Sequence, residues 1–188
     1  MSGILNGDEI IALHRTGEID INPWDKSRVG SNSYDVTLDD KIVVYKGHAI
    51  IDPRKKNETE EIKISDVYLL NPGDFILGST FEYCSNNPNK YEPGRGLYRI
   101  VPMIEGRSSI ARLGLCIHIT AGFGDVGFCG KWTLEMTAAR PILLYPKMPI
   151  GQLYWIWTTP TGRKYKGKYQ DQKETMASKS YEDFRRES

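Results

Sequence analysis

The sequence predicts a mainly β protein: a distorted β-barrel or jelly roll, opened by a short N-terminal helix and closed by a flexible C-terminal flap. Three observations carry this. Short strand-like runs return at near-regular spacing from Tyr34 to Thr158. Helical periodicity with a cap is found once, near the N-terminus. From Pro160 onward the apolar content is too low for a separate core. The expected division is a β domain with its helix over residues 1–159 and a flap over 160–188.

Asn6-Gly7-Asp8-Glu9 has the spacing of a capping box, a side-chain cap followed three residues later by glutamate. Ile10, Ile11 and Leu13 supply an apolar face and Gly17 stops the turn, which predicts a helix over residues 7–16. After Pro23 the period becomes two. Tyr34, Val36 and Leu38 alternate with polar residues, Asp39-Asp40 marks a turn, and Ile42-Val43-Val44-Tyr45 follows. Residues 52–61 are polar and charged and read as an exposed loop; residues 85–96, with two prolines, read as a second. Between them Pro72-Gly73-Asp74 introduces Phe75-Ile76-Leu77-Gly78. Strand-like runs return at 97–104, 115–120, 131–137, 142–145 and 152–158. The tail places Arg163, Lys164, Lys166 and Lys168 among glycines and tyrosines, so it is either disordered or a flap that orders over something anionic.

A chain of 188 residues can bury a sizeable core. Its net charge of +1 gives no general electrostatic case for binding nucleic acid or a membrane. No apolar run approaches the roughly 20 residues that span a bilayer, and the N-terminus lacks the features of a signal peptide. Cys84, Cys116 and Cys129 are sparse and odd in number, which fits a reducing, cytoplasmic compartment.

The chemistry concentrates in Glu105-Gly106-Arg107-Ser108-Ser109-Ile110-Ala111-Arg112-Leu113-Gly114. Guanidinium forks and short hydroxyl donors suit phosphate oxygens and polarised carbonyls. The same residues also fit a plain helical turn with exposed arginines. In 115–120, Leu115, Ile117 and Ile119 share one face. In 131–136, Lys131, Thr133 and Glu135 share a face opposite Trp132, Leu134 and Met136. Between these runs, residues 121–130 hold four glycines and predict a tight hairpin whose main chain can approach a ligand closely. Asp125 in that hairpin can accept from a hydroxyl. Glu135 is the candidate general base, against the ordinary alternative of a solvated strand glutamate. The zinc-deaminase pattern, H-x-E followed by P-C-x-x-C, does not occur, and neither does a G-x-S-x-G nucleophile elbow. No protein-borne metal site is expected.

Taken together, these residues resemble the trimeric dCTP deaminases of the dUTPase superfamily, and especially their bifunctional deaminase–dUTPase branch. The resemblance runs from Ser31-Asn32-Ser33-Tyr34-Asp35-Val36-Thr37-Leu38 and Pro72-Gly73-Asp74-Phe75 through the Glu105–Gly114 block. It continues in Thr120-Ala121-Gly122-Phe123, Asp125, Gly127-Phe128, Gly130 and Thr133-Leu134-Glu135. It closes on Ile150-Gly151-Gln152-Leu153 and Gly167-Lys168-Tyr169-Gln170-Asp171-Gln172.

The resemblance implies a dUTPase-like fold and a homotrimer with sites between subunits. It implies deamination of dCTP at cytosine C4, with further cleavage to dUMP and pyrophosphate, in the supply of dUMP for thymidylate. A monofunctional dUTPase and a non-catalytic nucleotide-binding trimer are the alternatives. Glu135 would be the general acid/base, with Arg112 and Ser108 orienting water and base. Arg107, Ser108, Ser109 and Gln152 would bind phosphates. Thr120, Ala121 and Gly122 would meet the pyrimidine edge through main-chain groups, and Asp125 the deoxyribose 3′-hydroxyl. Tyr165, Lys168, Tyr169 and Gln172 would fold over the triphosphate, which would carry Mg²⁺. Monofunctional deaminases typically have His-Arg where this chain has Gly122-Phe123. The bifunctional branch usually has a branched apolar residue where this chain has Gly124, and Cys129 and Trp132 are also less usual.

Overall fold

The computed structural model describes residues 3–47, 50–86, 98–161 and 163–184. In chain order, β1 (Gly3–Ile4) leads to α1 (Gly7–Thr16), β2 (Asp20–Asn22), a 3-10 turn at Lys26–Arg28, β3 (Tyr34–Thr37) and β4 (Lys41–Tyr45). Then come β5 (Thr59–Lys63), β6 (Tyr68–Leu70), β7 (Ile76–Ser79) and β8 (Tyr83–Ser85). β9 (Tyr98–Gly106) runs into α2 (Ser108–Ala111), followed by β10 (Leu115–Cys116), β11 (Cys129–Gly130) and β12 (Thr133–Ala138). β13 (Ile142–Leu144), the long β14 (Pro149–Thr161) and α3 (Tyr181–Phe184) complete the described chain.

α1 forms where its caps dictate. The Asn6 side chain accepts the Glu9 N–H at 2.9 Å, and the Glu9 carboxylate accepts the Asn6 N–H at 3.0 Å. Such a cap stabilises a helix by about 1 kcal/mol. At the other end Gly17 takes φ 76°, left-handed backbone that glycine adopts without a Cβ penalty. Ile10 is the helix's buried anchor.

Among the described residues the strands are antiparallel throughout and fall into four sheets. β14 is the spine of the first, with β9 along one edge and β1 and β3 along the other. The second has the order β10-β12-β7-β4-β5, the third β11-β8-β2, and β13 pairs with β6. The mainly β expectation holds. Of the distorted barrel or jelly roll expected, no closed barrel is found: no sheet closes on itself among the described residues. β1, β10 and β11 have only two residues each, too few to continue pairing around a cylinder.

One core joins the sheets. Tyr34, Val36, Leu38, Ile76, Ile104, Leu134, Leu153 and Trp155 are all buried in it, and the Trp155 indole N–H donates to Asn86 Oδ1 at 3.0 Å. Truncating one of the aliphatic members costs about 2–5 kcal/mol. Glu82, fully buried, accepts from the Thr37 N–H at 2.9 Å and the Thr37 hydroxyl at 2.8 Å, and pairs with Arg28. That satisfied charge ties β3 to the start of β8.

Two expectations need correction. The exposed loop over 52–61 ends in a strand: β5 pairs with the whole of β4, from Thr59 opposite Tyr45 to Lys63 opposite Lys41. Its charged side chains sit on a sheet edge, where charge is tolerated and blunts further pairing. The run 115–120 is strand only at Leu115–Cys116; Leu115 and Ile117 are buried as the alternation requires, but Ile119 is exposed. Most of the predicted 85–96 loop lies outside the described residues.

Candidate active site

β12 has the alternation expected for a half-buried strand. Leu134, Met136 and Ala138 go into the core, and Thr133, Glu135 and Thr137 lie on the other face. That face borders a cavity of about 420 Å³. Glu135, Thr133, Ala121, Asp125, Tyr165, Tyr169 and Gln172 all line it. The structure therefore brings together seven residues from three separated parts of the chain. Glu135 accepts the Ile119 N–H at 3.3 Å, which joins β12 to the segment that leads into Ala121.

Residues 121–130 make a loop rather than a tight hairpin. Its first half runs against β9: Ile104 N–H donates to Gly122 O at 2.9 Å, and Gly124 N–H to Pro102 O at 3.0 Å. Gly122 has no room for a side chain, since a Cβ there would meet Ile104 O at 2.7 Å and His118 Cε1 at 2.9 Å. His118 is held in that place by Glu105, with Nε2 3.1 Å from the carboxylate.

The tail lies along the same face. Tyr165 N–H donates to Val126 O at 2.8 Å, and its ring meets Phe128 edge-on at 5.7 Å. Burial, with the Asp125 carboxylate adding to it, holds the Tyr165 hydroxyl above the usual tyrosine range. Gln170 bridges Gly127 O and Cys129 N–H, at 3.0 and 3.2 Å. Gln172, only 5% exposed, accepts the Lys131 N–H at its main-chain oxygen. Its amide donates to Lys131 O and, at 3.1 Å, to Thr133 Oγ1. Further on, Thr175 Oγ1 donates to Ser79 Oγ at 3.0 Å and Ser178 N–H to Tyr45 Oη at 3.1 Å.

Lys168 does not line the cavity. Its ammonium lies 2.5 Å from the Asp183 carboxylate and donates to Lys179 O at 3.0 Å. The hydrogen bond it donates to the Asp183 carboxylate raises its pKa.

A second group gathers elsewhere. Arg107 caps the four-residue α2 without a side-chain cap bond, and Ser108 and Ser109 open the helix exposed. The Arg107 guanidinium pairs with Asp35 at 2.9 Å, and Gln152 is the cross-strand neighbour of Asp35. Arg112 ends α2, exposed. The segment is thus a short helical turn with Arg107 half-buried in its ion pair and Arg112 exposed. Arg107, Ser108, Ser109, Arg112, Gln152, Thr120 and Gly122 do not line the cavity that holds Glu135.

Several cavity residues were not singled out from sequence. Tyr45 and Phe75, stacked with centroids 6.5 Å apart, come from β4 and the entry to β7, and Met176 from the tail. Only the order of the second sheet brings the first two to Glu135, so no local signal marks them. Thr133 was legible, because it shares the Glu135 face by simple alternation.

The arrangement has the make-up of a small-molecule pocket: aromatic and apolar walls, a few convergent polar groups and one strand carboxylate. Among the described residues no group of three or more His, Cys, Asp or Glu is placed to hold a metal.

The family model described as dCTP deaminase-like matches residues 4–156. A protein of Clostridium botulinum (strain Eklund 17B / Type B) named "dCTP deaminase, dUMP-forming" is 43% identical over 183 residues, covering 96% of this chain and 98% of its own. A protein of the same name from Leptospira biflexa is 40% identical over 184 residues, covering 96% and 98%. The crystal structure of 2'-deoxycytidine 5'-triphosphate deaminase from Agrobacterium tumefaciens shares the fold, with a TM-score of 0.61 at 19% identity. That match covers 83% of this chain and 48% of the solved one, so this chain spans about half its length. With most of its length matched by the family model, the chain belongs to the dCTP deaminase-like family.

Proposed function

We propose that this protein hydrolyses dCTP to dUMP, releasing ammonia from cytosine C4 and then pyrophosphate, and so supplies the nucleotide from which thymidylate is made. The observation that carries the reading is the position of Glu135, in one cavity with Asp125, Ala121 and the tail residues Tyr165, Tyr169 and Gln172. Relatives that align over almost their full length and are named dUMP-forming support both steps. So does Gly122, whose surroundings exclude the side chain that the resemblance associates with monofunctional deaminases.

The chemistry follows from the residues. Glu135 takes a proton from water, and the oxygen adds to C4 as the C4–N3 π electrons move onto the ring nitrogen. The carboxylic acid then returns the proton to the exocyclic amine; the pair on N3 re-forms the C4–N3 double bond as the bond from C4 to the exocyclic nitrogen breaks, ammonia leaves, and the C4 hydroxyl proton moves to N3 to give the uracil carbonyl. One carboxylate serves as base and then acid. The main chain of Ala121, the one residue of 120–122 that lines the cavity, holds the pyrimidine edge, and Asp125 accepts from the 3′-hydroxyl. In the second step water attacks the α-phosphorus and pyrophosphate departs. The nucleotide enters as its Mg²⁺ complex, the ion being carried by the triphosphate.

Arg112 and Ser108 orient the water and the base, and Arg107, Ser109 and Gln152 bind phosphates. Because these residues do not line the Glu135 cavity of their own chain, we assign them to the cavity of a neighbouring copy, in a homotrimer. Residues 160–188 act as a flap over the triphosphate, with Lys168, Tyr169 and Gln172 as its contacts. Remote phosphate binding of this kind orders the site and excludes water.

Chromatography of products after incubation with dCTP and Mg²⁺ tests the reading. Equimolar ammonia, dUMP and pyrophosphate are expected. Accumulation of dUTP would remove the second step. Pyrophosphate from dUTP without ammonia from dCTP would leave a dUTPase. Binding without turnover would overturn catalysis altogether.

A further inference from the structure

Gly124 and Trp132 are separated in the sequence by a glycine-rich loop, and in the structure they occupy one volume. A Cβ on Gly124 would lie 2.5 Å from Trp132 Cη2, 2.7 Å from Pro102 O and 2.9 Å from Pro102 Cγ. Neither backbone can retreat. Gly124 is fastened to β9 by its N–H on Pro102 O, beside the Met103–Phe123 bridge. Trp132 is fastened on both sides of its peptide: its N–H donates to Thr80 Oγ1 at 2.9 Å, and its carbonyl accepts the Thr80 N–H at 2.9 Å. The indole is 6% exposed, meets Phe128 edge-on at 5.3 Å, and lines the same cavity as Asp125 and Glu135.

We propose that Gly124 and Trp132 form an interlocked pair in which the Trp132 indole takes the space a side chain at position 124 would need and so forms the apolar wall of the cavity there, making Trp132 a specificity-determining residue for the pyrimidine. The inference rests on the functional reading above. Position 124 lies between Ala121, assigned to the base, and Asp125, assigned to the sugar. A wall standing there fixes how the ring sits relative to Glu135. A rigid, flat, two-ring side chain leaves less freedom than a branched aliphatic one, so it discriminates against ring substituents that a softer wall admits.

The test uses the full chain with dCTP and 5-methyl-dCTP as paired substrates, and thermal melting of each variant. Gly124→Ala is expected to lower kcat/KM for dCTP by about 10-fold or more, by forcing the indole out of place. Trp132→Leu is expected to lower the kcat/KM preference for dCTP over 5-methyl-dCTP by about 10-fold. In the double variant the alanine is expected to cost less than it does beside Trp132, in melting temperature and in kcat/KM, because the indole is gone and only the Pro102 contacts remain. If Gly124→Ala fails to fold while the double variant folds, the interlock stands by that result. Additive losses with an unchanged substrate ratio would overturn the inference while wild-type turnover of dCTP upheld the functional reading. A wild-type protein inert toward dCTP would overturn that reading and the specificity claim together.

Discussion

Lys168 and Asp183 form an ion pair 2.5 Å long between the middle of the tail and its C-terminal helix. Lys168 is also the cation assigned to the triphosphate, so the nucleotide has to draw it away from a carboxylate of its own chain. Asp183→Asn is expected to lower KM for dCTP by about 2- to 5-fold with kcat unchanged, the range of an exposed pair, and the difference should shrink as salt is added. Steady-state kinetics at two ionic strengths checks this. An unchanged KM would mean that the pair does not compete with phosphate.

The hydrophobic core is complete before the tail begins, since the buried core side chains among the described residues run from Leu5 to Trp155. Removing everything after Pro160 is therefore expected to leave a cooperative melt within a few degrees of the full chain. It also removes Tyr165, Tyr169 and Gln172 from the cavity, and kcat/KM for dCTP is expected to fall by about 100-fold. Unchanged kcat/KM would exclude a flap role for the tail.

If Arg112 and Glu135 serve one site from two copies, their defects must complement. Arg112→Ala and Glu135→Gln proteins, each expected to be inactive alone, are expected to regain a measurable fraction of wild-type turnover when unfolded together and refolded as a mixture. Mixing without recovery, in assemblies shown to contain both chains, would place the two residues in the same copy's site.

Tyr34 is fully buried, stacks with Trp24 at 5.0 Å, and accepts the Asp25 N–H at 3.0 Å. Burial, reinforced by the Glu82 charge, pushes its hydroxyl up to about 12 from 10.0. The folded state thus favours the protonated form. Its contribution to stability is full below pH 10 and is lost as pH rises through about 12. Denaturant midpoints measured up that range are expected to fall, and to fall less in Tyr34→Phe. Equal slopes for the two proteins would contradict the assignment.

How much of this was legible in the sequence depends on how local the determinants are. α1 was readable to the residue because Asn6, Glu9 and Gly17 act within a turn of where they sit. β12 was readable because strict alternation puts Glu135 and Thr133 on one face. β5 was not, because Thr59–Lys63 is charged and becomes a strand only through pairing with Lys41–Tyr45. In the cavity, Asp125, Glu135 and Gln172 were recognisable as chemistry-bearing groups. Tyr45 and Phe75 were not, since sheet order alone brings them there. Gly124 and Trp132 stood out singly as oddities, and only their shared volume explains either.

The most direct measurement is ammonia release from dCTP by Glu135→Gln, made beside nucleotide binding by the same protein. The amide keeps the size and the ability to accept the Ile119 N–H, but cannot take a proton from water. Turnover is expected to fall by about 1,000-fold or more while dCTP still binds, in line with the loss of a general acid/base. A variant that binds dCTP and releases ammonia at the wild-type rate would contradict the role given to Glu135, and with it the account of the site.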